Sequence, residues 1–107
     1  MLWATPLAGG DPVEVFPDLL RRTFTLIDGL CDYRLEQHGA EWRVRLDPSG
    51  SRGDVEAAVR AEILELARRL QVRPPALVVE DWRTEPLLGE KRRRIRCVAR
   101  LVPGETR

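Results

Sequence analysis

Val55, Val59, Ile63, Leu66 and Leu70 recur at steps of four or three residues, a spacing that an α-helix gathers onto one face and a strand scatters over two. The polar positions between them agree. Glu56 with Arg60, and Glu65 with Arg69, stand four apart with the acid first, the favourable order on a wet helical face. Ser51-x-x-Asp54 resembles a capping box, and Pro74-Pro75 denies the run any continuation, so the spacing predicts a helix over 54–71. A helix with one apolar stripe must lay it against another layer, and the flanking sequence supplies strands.

From Cys31 to His38, Tyr33 and Leu35 alternate with Asp32, Arg34 and Glu36. After Gly39-Ala40 the pattern resumes with Trp42, Val44 and Leu46 against Arg43 and Arg45. Period-two alternation on both sides of a glycine turn is a β-hairpin signal. Upstream, Val13-Glu14-Val15-Phe16 is β-prone, and Pro17 suits the first turn of a helix over 17–28 that sets Leu20, Phe24 and Ile27 inward and closes at Asp28-Gly29. Downstream, the continuous apolar run at 76–80 predicts an interior strand, 82–90 a loop, and 92–102 a last strand with Ile95, Cys97, Ala99 and Leu101 on one face. The expected fold is α+β and ferredoxin-like, with two helices packed on one face of a largely antiparallel sheet. Residues 13–102 form that domain, 1–12 a lead-in segment rich in turn residues, and 103–107 a tail.

Composition excludes whole classes. The 43% hydrophobic and 33% charged residues are those of a packed chain and not of a disordered one. Eighteen basic against 17 acidic residues leave a net charge of +1, so no global field draws the molecule to nucleic acid or to an anionic membrane. No apolar run reaches the roughly 20 residues that span a bilayer, and Met1 to Pro6 lacks the basic start of a signal peptide, so the expected location is the cytoplasm. Cys31 and Cys97 stand far apart in apolar-looking runs and read as small core residues; with one histidine and no CxxC, no metal site is expected. His38 reads as an exposed residue of the hairpin tip, Trp42 as core, and Trp82 as packing or a partner contact.

The segment Gly89-Glu90-Lys91-Arg92-Arg93-Arg94-Ile95-Arg96 holds the chain's one lysine. A lysine carried on a loop can stabilise the charge that spreads over phosphate oxygens in acyl-adenylate chemistry. The same run also reads as a solvated strand edge whose cations discourage edge pairing. Nucleic-acid binding through Arg92 to Arg96 is not expected, because few aromatics accompany them.

Val15-Phe16-Pro17 before an amphipathic helix, Gly29 and Tyr33-Arg34-Leu35-Glu36-Gln37 in a strand, a long helix, a short strand, Leu88-Gly89 and the basic run at Lys91 together resemble the C-terminal domain of phenylacetate-coenzyme A ligases and related adenylate-forming enzymes over about residues 13–98. The resemblance implies a lid domain, not a complete enzyme alone, that brings Lys91 as catalytic residue, with Gly89, Arg92 and Arg93 contacting substrate or phosphate. It implies an N-terminal adenylation domain as partner, in cis or in trans. It implies no cofactor for this chain alone, with ATP and coenzyme A entering only through that partner. In the family the lysine directly follows its glycine, whereas Glu90 intervenes here. Either Lys91 acts from a loop longer by one residue, or the scaffold has become a non-catalytic interaction or homodimerisation module.

Overall fold

Gly39 sits at φ +64°, a conformation that costs a glycine little, and there the chain reverses between the two alternating strands. The structure is a computed structural model and describes residues 2–82 and 94–101. In chain order the elements are β1 (Leu2–Ala4), β2 (Val13–Val15), α1 (Pro17–Thr25), β3 (Leu30–His38), β4 (Glu41–Pro48), α2 (Arg52–Leu70), β5 (Ala76–Glu80) and β6 (Ile95–Ala99). Lys91, Gly89, Arg92 and Arg93, like the 103–107 tail, lie outside the described residues.

The fold is mixed α and β, with two helices, a two-stranded ribbon of β1 and β2, and a four-stranded sheet in the order β5-β4-β3-β6. The hairpin β3–β4 is antiparallel, with Tyr33 opposite Leu46 and Leu35 opposite Val44. The other two pairings, β4 with β5 and β3 with β6, are parallel. The sheet is therefore mixed rather than largely antiparallel. In a ferredoxin-like layout both β-α-β units share one sheet. Here β2, the strand before α1, pairs instead with β1, and β6 occupies the free edge of β3.

The helices follow local chemistry. Ser51 Oγ accepts the Asp54 backbone N–H at 3.4 Å, and α2 ends at Gln71 in the left-handed conformation. Val55, Val59, Ile63, Leu66 and Ala67 form its buried stripe, while Leu70 is partly exposed. Glu65 pairs with Arg68, one position before the expected Arg69. Helix α1 begins at Pro17 and stops at Thr25, and Gly29 at φ +81° turns the chain into β3. Phe24 stacks on Tyr33 with ring centroids 4.1 Å apart, tying α1 to the sheet. A single core joins the stripe of α2, Leu20 and Phe24 of α1, and the inward residues of β3 and β4.

Three expectations change. The lead-in segment contains β1, and its Leu2 is 0% exposed in the core. Three apolar residues, beside Pro6 and Gly9, are too short a run to register as a strand, and pairing with β2 makes it one. Strand β5 is a sheet edge rather than interior: α2 packs beside its partner β4, and Val78 remains exposed. Cys31 is exposed and Cys97 half-buried, both as free thiols. No helix among the described residues is long and apolar enough to cross a membrane.

Candidate functional site

Alternation on β3 sends Tyr33, Leu35 and Gln37 into the core and leaves Asp32, Arg34, Glu36 and His38 on the opposite face. Strand β6 runs parallel beside it with Leu35 opposite Ile95 and Glu36 opposite Arg96, and that register sets charges of opposite sign side by side. Arg94 Nε donates to Asp32 Oδ1 at 2.8 Å, and Arg96 Nε donates to Glu36 Oε2 at 2.7 Å. Glu36 Oε1 also lies 3.3 Å from His38 Nε2. Arg94 and Arg96 are thus partnered within the domain. Half-buried His38 belongs to this network instead of projecting freely from the turn.

Trp82 and Arg94 are the described residues on either side of 83–93, and both land on β3. The Arg34 guanidinium lies 5.5 Å from the centroid of the Trp82 ring. Arg34 Nη1 lies 3.5 Å from Asp32 Oδ1, the atom that Arg94 also holds. The Leu35 backbone N–H donates to the Arg94 carbonyl at 2.6 Å. At the end of β5, Asp81 pairs closely with Arg52 at the start of α2, and Glu80 lies 4.0 Å from Arg45. The two described residues that flank 83–93, Trp82 and Arg94, therefore sit against neighbouring residues of one strand.

Burial pushes the Asp32 carboxyl up. The Arg94 hydrogen bond, the Tyr33 backbone N–H and the charges of Arg94 and Arg34 outweigh it and hold the group below the usual carboxylate range. At Glu36, burial is likewise outweighed by hydrogen bonds from His38 and Arg96 and by the charges of Arg96 and Arg45. Both carboxylates stay ionised as fixed negative anchors. The Asp32 bond raises Arg94 in turn, and burial raises the Tyr33 phenol. Arg21, Tyr33, Asp32 and Arg94 border an open cleft of about 350 Å3 between the end of α1 and β3. No group of three or more histidine, cysteine or acidic side chains that could hold a metal occurs among the described residues.

Sequence reading found the basic segment and missed its anchors. Asp32 and Arg34 read only as the polar half of an alternating strand. Their signal was charge order: acid, base, acid at 32, 34 and 36 complements base, base at 94 and 96 once the strands lie parallel. Comparison with known proteins gives no match: no family model fits the chain, and neither a curated protein nor a solved structure matches it.

Proposed function

We propose that this chain is an accessory lid-type domain of an adenylate-forming acyl ligase, a cytoplasmic module that presents Lys91 to an N-terminal adenylation domain. The observation that carries the reading is the common anchorage of Trp82 and Arg94, the described residues on either side of 83–93, on Arg34 and Asp32 of one strand. Flanking residues held on one strand suit a lysine that must reach a carboxylate and a phosphate on another body, because orienting the cation beforehand lowers the cost of stabilising developing charge. Lys91 supplies that charge, Gly89 lets the backbone approach, and Arg92 and Arg93 contact phosphate. ATP and coenzyme A belong to the partner. The ferredoxin-like kinship enters only through the order β2-α1-β3-β4-α2-β5.

The test mixes the chain with candidate large adenylation domains and follows carboxylate-dependent pyrophosphate release. The expected result is acceleration of about tenfold or more, abolished by Lys91→Ala, which leaves binding intact. Acceleration that survives Lys91→Ala removes the catalytic assignment. No binding to any such domain removes the reading.

A second reading, a homodimerisation module, is favoured by Val98, 50% exposed on β6, whose far edge has no neighbouring strand among the described residues. Sedimentation equilibrium decides it: a dimer that Val98→Lys dissociates supports this reading, and a monomer at every concentration ends it.

A further inference from the structure

On the core side of the sheet a cleft of about 400 Å3 opens where β1, the start of β4 and the link from α2 to β5 meet. Trp3, with the Arg100 guanidinium 3.8 Å from its ring centroid, and Pro74 and Pro75 form the walls, Arg73 stands at the rim, and Trp42 lies at the base. Two of its residues carry unused donors. The Trp42 indole N–H is shut from solvent without a hydrogen-bond partner among the described residues, although the residue is only 3% exposed. The exposed Arg73 guanidinium makes no ion pair among the described residues, and none of the described residues that line the cleft is acidic. Gln37, also at the base, has its amide committed to Trp3 and Gly39.

Trp42 also borders a space of about 10 Å3 lined only by apolar residues, among them Val15, Ile63, Leu66 and Leu70. A space that small and apolar holds no well-bonded water, so it supplies no acceptor for the indole N–H. An unpaired buried N–H costs about 1–3 kcal/mol, which an incoming acceptor recovers.

We infer that this cleft binds the C-terminal residue of an extended peptide, with the terminal carboxylate on Arg73, a carboxylate or peptide oxygen on the Trp42 N–H, and one bulky apolar side chain between Trp3 and the two prolines. Charge selects an anion, since among the described residues the cleft is lined by a cation and by no carboxylate. Shape selects a chain end. Arg73, Pro74 and Ala76 are exposed, so the rim is too open to enclose most of a free small molecule, as compact ligand sites do, but deep enough for one side chain. The site uses the opposite face of β3 from Asp32 and Arg34 and does not depend on the ligase reading.

The experiment titrates 15N-labelled protein with acetyl-Gly-Ser-Gly-Ala-Phe as the free acid and as its amide, observing the three indole N–H signals. The expected result is movement of the Trp42 signal with the free acid and at least tenfold weaker binding of the amide. Arg73→Ala weakens binding about tenfold, and Trp42→Phe about fivefold. Arg73 is exposed, so its replacement leaves a folded protein even where Trp42→Phe does not. Equal binding of acid and amide, or undiminished binding by Arg73→Ala, overturns the assignment, as does no signal movement at about 5 mM peptide, a concentration that would detect even millimolar affinity.

Discussion

The side-chain amide of Gln37 brackets the backbone of Trp3: its Oε1 accepts the Trp3 N–H at 2.7 Å, and its Nε2 donates to the Trp3 carbonyl at 2.8 Å and to the Gly39 carbonyl at 2.9 Å. The glutamine behaves as a borrowed peptide group and fastens the β1–β2 ribbon to the sheet from a position with no exposure. Gln37→Leu fills the space but strands the Trp3 N–H and carbonyl, and it should cost about 2–4 kcal/mol in urea unfolding. Gln37→Glu keeps the acceptor and loses both donors, so it should be comparably damaging at neutral pH. A loss below about 0.5 kcal/mol for both variants would show that the ribbon docks by other means.

Acid should loosen the charged face before it reaches the core. Asp32 and Glu36 are both held below the ordinary carboxylate range, so their contribution is complete above the ordinary carboxylate pKa and is lost as pH falls through the lowered folded values. Each side chain is partly solvated, which limits each pair to about 1 kcal/mol. Urea midpoints measured from pH 6 to pH 3 should therefore fall, and Asp32→Asn together with Glu36→Gln should flatten the decline. An unchanged slope in the double variant would assign the acid sensitivity elsewhere.

Gln71 closes α2 at φ 57°, where a side chain crowds its own backbone and glycine does not. Its carbonyl accepts from Leu7 and its N–H returns to the last turn of the helix, bonds that glycine would keep. Gln71→Gly should raise stability by about 0.5–1 kcal/mol, the relieved strain exceeding the added freedom of the unfolded chain. A fall in thermal midpoint would contradict this account of the helix end.

Elements whose cause is local were legible in the sequence. Helix α2 follows from the step of its apolar residues and from Ser51, and the hairpin from alternation around Gly39; both form close to where they are expected. Strand order was not legible, because it depends on which distant segment takes each edge of the hairpin. Nothing within Ile95–Ala99 says that its neighbour is β3, and nothing in Val13–Val15 says that Leu2–Ala4 will claim it. The same limit applies to the candidate site. Lys91 stands out as the single lysine, whereas Asp32 and Gln37 gain meaning only from partners 62 and 34 positions away.

The parallel seat of β6 on β3 also orders events during synthesis. Arg94 meets Asp32 across 62 positions, so the hairpin can close and α2 can pack while the far side of β3 still waits for its neighbour to be translated. Through that interval the nascent chain carries an open, hydrogen-bonding border beside the apolar Tyr33 and Leu35, the kind of border that recruits a foreign strand. Strand β6 acts as a late closure, and truncation before Ile95 should leave a species that aggregates on release, detectable by light scattering, while the full chain does not.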